Sequence, residues 1–486
     1  MVEYKILDES TPPVHEQLKP PLVETSAEDE SMMVPEHITS KEWASRDQRV
    51  LIHGNQLPTI DPRDIIVFEK AKGSSYWDVN GIEYVDATGG THNNHVGHGR
   101  EEIAQAVAEQ MTKLEFALNI SSFSHIPAIE CAERILTIAR KEFHNMERVF
   151  FTSGGSEAVE VAIHCCLKYW QLKGQSAKKR IISFKNCYHG TTFMSSSLSE
   201  ETREDYGMKR VSDEKGESCL PLSIDFPHEF LIGSHHTNAG FFVAEQLEDL
   251  IKNEGPDTIA AFIVEPVQGF GGCLEPHKDF FALARQICDR YGILMIDDEV
   301  MTGFGKTGKW FSLSHYGINP DIVVFSKGVS SGYLPFGGMV ISSQMVQMLF
   351  SHHEALKFDY TLSGHPCCCV AAMKNLDIIE NEDLVERANE MGKIFRSKLF
   401  NRLSKFKLFG GLTGLGLMIG ILLNETLADK MVHLMVHQHH IIVTMGAKSN
   451  NTIILTPALM IEEEKMDIIV DGFEKSFRAL TEEDIL

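Results

Sequence analysis

The sequence predicts an α/β fold: a large domain on a mostly parallel sheet, and a smaller α+β domain assembled from both termini. Three observations lead there. Past about residue 100, short apolar runs recur at 149–151, 181–184, 259–264, 292–296, 322–325 and 338–341, separated by helical stretches. Continuous apolar runs of strand length fit strands covered on both faces, and their alternation with helices fits a parallel sheet. At 486 residues the chain exceeds one ordinary domain, so at least two lobes are expected. Outside this central part the texture changes. Residues 65–85 alternate apolar and polar around Asn80-Gly81, a hairpin signal. After about residue 356 a long helical stretch near 367–382 leads into a mixed segment. The expected division is an acidic arm over 1–45, the N-terminal part of the small domain over 46–90, the large domain over 91–355, and its C-terminal complement over 356–486.

Charge narrows the partners. With 45 Lys and Arg against 68 Asp and Glu, the net charge is 45 − 68 = −23, which disfavours nucleic acid and anionic membranes. No 18-residue apolar stretch predicts a membrane span, and the amino terminus shows no basic region followed by an apolar core. The arm over 1–45 is acid-rich and holds Pro12-Pro13 and Pro20-Pro21, so a mobile arm or an extended segment draped on a partner subunit is expected. The ten cysteines lack framework spacing, and Cys367, Cys368 and Cys369 are consecutive. They are expected as buried reduced thiols in a cytoplasmic protein. His92, His95 and His98 have loose spacing without a Cys-x-x-Cys partner, so no metal is expected.

The chemistry concentrates at strand ends, where open α/β sheets place ligands. Lys327 follows the run 322–325, and Asp298 ends the run that begins near Gly292. An acid and a lysine so placed fit pyridoxal phosphate, which needs a lysine for its Schiff base and an acid to keep its pyridine nitrogen protonated. In Phe151-Thr-Ser-Gly-Gly-Ser-Glu-Ala158 a strand ends, glycines turn, and a helix begins. Such a turn aims N–H groups at an anion, with Gly155 and Ser156 as natural phosphate contacts. Cys187-Tyr-His-Gly-Thr191 follows another strand. It offers Tyr188 to stack on a flat ring, with His189 beside it. Glu265 stands at the mouth of the run 259–264. Val300 shares a side with Asp298 by strand alternation and can cover the opposite ring face. Thr361 supplies a hydroxyl in Asp359-Tyr-Thr-Leu-Ser-Gly-His-Pro366.

In this order the set resembles the class III aminotransferases, the ω-aminotransferase branch of the fold-type I pyridoxal-phosphate enzymes. The likeness runs from about Gly89 to the carboxyl terminus. It is carried most specifically by Asp298-Glu-Val-Met-Thr-Gly-Phe-Gly-Lys-Thr-Gly308, Pro320-Asp-Ile through Ser326-Lys-Gly328, and Ser363-Gly-His-Pro366. The resemblance implies that Lys327 bears the cofactor and Asp298 pairs with its ring nitrogen. It implies that Tyr188 and Val300 enclose the ring, that Gly155 and Ser156 hold the phosphate, and that His189 and Glu265 belong to the same site. It further implies that Thr361 reaches the phosphate of a neighbouring subunit, which makes a homodimer with shared active sites. The expected activity is ping-pong transfer of an amino group from an amine or ω-amino acid to a keto acid. The alternative on the same scaffold is a lyase or aminomutase.

The pattern departs from many relatives where an arginine holds a carboxylate. Thr413, Thr444 and Ile454 occupy three such positions, Met301 replaces a glutamine, and His92 stands where a tryptophan is common. The Asp-Glu-Val-Met-Thr-Gly run looks closest to taurine–pyruvate and amine–pyruvate members. Pyruvate is therefore expected to be a better acceptor than 2-oxoglutarate, unless Lys448 or nearby histidines supply the missing charge.

Overall fold

A computed structural model of the chain describes residues 38–54, 61, 64–199, 222–224, 239–352, 356–446 and 451–483. The chain divides into two compact units between Val67 and Phe68. The described part of the first unit is chiefly the helix Ser40–Val50, capped by the Thr39 hydroxyl, which accepts from the Glu42 N–H. Most of the acidic arm, residues 1–37, lies outside the described residues.

The second unit opens with β1 (Phe68–Lys72), β2 (Ser75–Asp78) and β3 (Glu83–Asp86). β2 and β3 form the hairpin expected around Asn80-Gly81. The Asp78 carboxylate closes its turn by accepting from the N–H groups of Asn80 (2.9 Å) and Ile82 (2.8 Å). The first strand begins at Phe68, three residues later than the alternation at Ile65 suggested.

The central strands are β4 (Met146–Thr152), β5 (Arg180–Phe184), β6 (Leu222–Ile224), β7 (Ile259–Val264), β8 (Leu294–Asp298), β9 (Ile322–Phe325) and β10 (Gly337–Ser342). They form one seven-stranded sheet in the order β4-β10-β9-β8-β7-β5-β6. The sheet is mostly parallel, as expected. β10 alone runs antiparallel to both neighbours, β4 and β9. Its six residues are all buried, so its sequence carries no alternation and no cue to its direction.

Both faces of this sheet are covered. Ala158, Val159, Ala162, Cys166 and Tyr169 of the helix Gly155–Leu172 join Ile263, Ile296, Val324 and Met339 of the strands in one apolar cluster. On the other face Phe262, Met295, Val323 and Val340 meet Phe280 and Ile287 of the helix Phe280–Tyr291. Each such fully buried side chain contributes roughly 1.5–3 kcal/mol. This double cover leaves the strand ends as the place for polar groups. β4 runs parallel to β9, because both are antiparallel to β10, so β4, β5, β7, β8 and β9 all end on one edge.

The remaining strands are β11 (Phe409–Thr413), β12 (Ile419–Leu423), β13 (Ile441–Ile442), β14 (Thr444–Met445) and β15 (Thr452–Leu455). β13 pairs in parallel with β3, so the first small sheet draws on both ends of the chain. The other four form an antiparallel sheet in the order β11-β12-β15-β14.

One helix fixes the turn after β9. Asn375, fully buried in the helix Pro366–Asn381, donates through Nδ2 to the carbonyls of Gly328 and Val329, both at 2.9 Å. Asn375→Ala strands those two buried carbonyls and should lower unfolding stability by about 1–3 kcal/mol. Urea unfolding checks this, and an unchanged midpoint would show that the turn stands without the clamp.

Candidate active site

The helix Gly155–Leu172 starts three residues after β4 with no side chain capping its N-cap, Gly154. The first-turn N–H groups and the positive helix end thus suit an anion. Gly155 is needed for close approach: a Cβ there would lie 2.8 Å from Val300 Cγ1. The Ser156 hydroxyl accepts from the Thr191 N–H at 3.0 Å, which ties the 187–191 loop to the cradle. Gly190 has φ +129°, and a side chain there would overlap the Ser156 hydroxyl.

Asp298 ends β8 with its side chain buried. Its Oδ1 accepts from the Val300 N–H at 3.1 Å, and its Oδ2 lies 2.6 Å from His189 Nδ1. Burial works against a charge on His189. The neighbouring Cys187 and the Asp298 carboxylate outweigh it and raise its pKa well above the usual range. His189 is therefore the donor, and its Nε2 has no hydrogen-bond partner among the described residues. Asp297 and Glu299 are fully buried on either side of Asp298 along the chain. Burial pushes both carboxyl pKa values up, and each raises the other or is raised by Asp298. Protonation there keeps like charge away from Asp298.

Lys327 sits in the turn after β9 with φ +45°, a left-handed conformation costly for a residue with a Cβ. Burial lowers its pKa, against the opposing charges of Asp298 and Glu265. Neutral amine is thus favoured relative to a free lysine, as nucleophilic chemistry requires.

Tyr188 is 41% exposed, and its ring centroid lies 5.7 Å from that of Phe270. Its N–H donates to Glu265 Oε1 at 3.0 Å, while Glu265 Oε2 accepts from the Gly269 N–H at 2.9 Å. A solvated charge is the usual fate of a strand-end glutamate. Glu265 is instead buried and locks two loops together, with burial raising its pKa.

The fold thus gathers Gly155, Ser156, Tyr188, His189, Glu265, Asp298, Val300 and Lys327 at one edge of the sheet. Thr361 stands apart. It is exposed and has no hydrogen-bond partner among the described residues. The three histidines near residue 95 have separate partners: His92 meets Thr456, His95 meets the Phe304 carbonyl, and His98 meets Asp86. No group suited to a metal ion occurs among the described residues.

Sequence reasoning overlooked Lys306 and Thr456. Lys306 is fully buried and donates to the carbonyls of Thr456 (3.1 Å) and Pro457 (2.8 Å). Burial pushes its pKa down to about 7, with Asp86 opposing and Lys327 assisting. The only signal was a lysine inside the glycine-rich Gly303-Phe-Gly-Lys-Thr-Gly308 run, where a charge would ordinarily be solvated.

Residues 59–477 match the family described as aminotransferase class-III. The chain belongs to the class III aminotransferases. It is 32% identical to the putrescine–pyruvate aminotransferase of Pseudomonas aeruginosa over 443 residues, covering 88% of this chain and 94% of that one. It is 33% identical to the taurine–pyruvate aminotransferase of Bilophila wadsworthia over 435 residues, covering 85% and 92%. An amine transaminase from an uncultivated Pseudomonas species, solved with PLP bound, aligns with a TM-score of 0.80 at 30% identity, over 88% of this chain and 98% of that one.

Class III aminotransferases depend on pyridoxal phosphate, and this aminotransferase has residues that fit it. The uncapped helix start suits a phosphate, the side-chain-free Gly155 and Gly190 leave room, and a buried carboxylate suits a ring nitrogen.

The His189–Asp298 pair makes stability depend on pH. A folded-state pKa above the unfolded value of about 6.5 gives stability that is complete below about pH 6.5 and lost as pH rises through the raised value. In cofactor-free protein the urea midpoint should fall as pH rises above about 6.5. The fall should be smaller in Asp298→Asn, which lacks the partner charge. Equal falls in both proteins would show that Asp298 does not hold the proton on His189.

Proposed function

We propose that Lys327 carries pyridoxal phosphate and that the enzyme transfers an amino group from an amine to a monocarboxylic keto acid, pyruvate in particular. The observation that carries this reading is the convergence of Lys327, the His189-supported Asp298 and the Gly155–Ser156 helix start at one sheet edge. When bound, the cofactor supplies a ring that withdraws the electron pair left as the substrate carbon loses its proton.

The protein residues have separate tasks in this reading. Asp298 holds the ring nitrogen in its protonated form by a charge-assisted hydrogen bond. His189 and the Val300 N–H keep that carboxylate aimed. The first-turn N–H groups at Gly155 and Ser156 anchor the phosphate, and Tyr188 and Val300 flank the ring. Glu265 fixes the Tyr188 loop against Gly269. With the cofactor bound, Lys327 as a neutral amine would hold at Nζ the proton that leaves the substrate carbon and would deliver it to the other side of the C–N linkage rather than to the carbon it left. The aminotransferase relatives favour transfer over lyase or aminomutase chemistry.

The neutral residues at Thr413 and Ile454, where many relatives carry arginine, support a monocarboxylic acceptor. Ile454 and Met301 are buried with Val267, Cys273 and Met418 in an apolar cluster. The Thr413 hydroxyl is spent on the Gly272 carbonyl at 2.7 Å. The Arg396 guanidinium donates to the carbonyls of Thr413 and Met418. Thr444 lies on β14, paired with Ile454. Lys448 lies outside the described residues. A second carboxylate left unpaired in such a site costs several kcal/mol.

A homodimer completes the proposal. Thr361 is exposed beside Leu362. A Cβ on Gly364 would lie 2.6 Å from Asn119 Nδ2, so this loop adjoins a segment that exposes Leu118, Phe123, Ile126 and Ile129. Such an apolar face is suited to a second copy, which would receive Thr361 at its phosphate. Nine described cysteines, all buried and unpaired, support a reducing, cytoplasmic setting.

Addition of an amine should bleach the long-wavelength band of the yellow enzyme, and pyruvate should restore it. An enzyme that releases product without that reversible cycle would refute transamination. Borohydride should fix the cofactor to Lys327, and a labelled peptide from elsewhere would overturn the assignment. Asp298→Asn should keep the cofactor and lose about 3–5 kcal/mol of transition-state stabilisation, a fall of roughly 150- to 5,000-fold. With one donor, pyruvate should exceed 2-oxoglutarate in kcat/KM, and a tenfold preference for 2-oxoglutarate would mean that another cation lines the pocket.

A further inference from the structure

His95 takes no part in the reaction scheme above, yet it is fully buried beside the Lys327 turn. Its N–H donates to the Ser331 hydroxyl oxygen at 3.1 Å, and its carbonyl accepts from the Leu459 N–H at 2.8 Å. Its ring nitrogen Nδ1 lies 2.9 Å from the Phe304 carbonyl oxygen. A carbonyl only accepts, so Nδ1 bears the hydrogen. Nε2 has no hydrogen-bond partner among the described residues. Burial first, then the charge of Lys306 and that of Lys327, drive the ring's pKa well below the usual histidine range against the Phe304 bond. The ring is therefore a neutral wedge, fixed by its backbone and by one bond.

That wedge rests on Gly328, the residue after Lys327. A Cβ at 328 would stand 2.5 Å from His95 Nδ1 and 2.7 Å from Nε2, and closer still to Cε1. Carbon atoms in comfortable contact are about 3.5–4.0 Å apart. Gly328 has no positive φ, so the imidazole is what bars a side chain there. Three left-handed residues also meet at His95. Phe304, Ser331 and Lys327 have φ of +58°, +49° and +45°. His95 bonds the first two and packs against the neighbour of the third. Such backbone persists only where its surroundings over-determine it. Asn375 holds the carbonyls of the Lys327 turn, and His95 supports its Cα side at Gly328.

Resting on the reading that Lys327 bears the cofactor, we propose that His95 is a positioning residue for Lys327: its imidazole, wedged between the Phe304 carbonyl and Gly328, sets the point from which the lysine amine reaches the cofactor and the substrate carbon. The Phe304 bond ties this wedge to the segment that begins at Asp298 and Val300. His95 thus sets the lysine's turn in register with the acid's segment. The demand on that register is steep, because a reacting group misplaced by about 1 Å can cost about a hundredfold in rate.

The test exchanges volume between two residues. His95→Asn keeps an amide donor near the place of Nδ1, so the Phe304 bond can persist, but it takes the ring away from Gly328. Gly328→Ala adds the methyl group that the ring excludes. Each variant alone should displace Lys327, and the two together should restore it, because the methyl fills space the ring has left. Cofactor-free protein is mixed with pyridoxal phosphate, and capture is read as growth of the long-wavelength band. Its rate should fall about tenfold or more in each single variant and return to within about threefold of the natural rate in the double variant. In holoenzyme kcat should follow the same pattern, with KM for the amine moving about twofold or less, a split that a loss of folded protein would not give. The proposal is overturned if His95→Asn captures cofactor and turns over at the natural rates, or if the double variant shows the two single losses combined. Should Gly328→Ala fail to fold, the capture rate and the kcat against KM split of His95→Asn decide alone. A borohydride label away from Lys327 in the natural protein would instead refute the reading of Lys327, and this one with it.

Discussion

The arrangement depends on one carboxylate held at the end of β8. Asp298 sits between the Val300 N–H and His189 Nδ1, buried from water, where a lone negative charge would be costly. His189 makes it tolerable by carrying the balancing proton. This orders the surroundings. The 187–191 loop must come close enough to place His189, which requires Gly190 against Ser156. Val300 must press against the helix start, which requires Gly155 to have no side chain. Glu265 then fastens the same loop from the other side. The helix start, the 187–191 loop and the Asp298 carboxylate are therefore one linked construction.

The costs of this construction are concentrated where chemistry is needed. Lys327 and His92 both adopt left-handed backbone conformations, at roughly 1–3 kcal/mol each. Lys306, Asp297 and Glu299 are charged residue types buried without full ionic compensation. The double-sided core of the central sheet and the Asn375 clamp offset these local penalties. Strained and perturbed groups cluster at functional sites because folding alone would not retain them.

Much of this was legible in the sequence. Continuous apolar runs located the central strands, because a strand buried on both faces has few polar positions to interrupt it. The groups that matter stood at the ends of those runs, which is how Lys327, Asp298, Glu265 and Gly155 could be singled out. Other features left no local mark. The direction of β10 is set by its neighbours, and its uniform burial erases any alternation. The His189–Asp298 and His92–Thr456 contacts join residues 109 and 364 positions apart, so only the fold brings them together. Lys306 looked like a solvated loop charge because its carbonyl partners come from a distant strand end. Thr361, exposed and without a hydrogen-bond partner among the described residues, is the one expected site residue that the single chain leaves apart.

The account rests on Asp298 keeping a cofactor ring nitrogen protonated. Nitrogen-15 NMR of enzyme reconstituted with ring-labelled pyridoxal phosphate reads that proton directly. The natural enzyme should give the shift of a protonated pyridinium from neutral pH into the alkaline range, and Asp298→Asn should give that of an unprotonated ring. An unprotonated ring nitrogen in the natural enzyme at neutral pH would contradict the account at its centre.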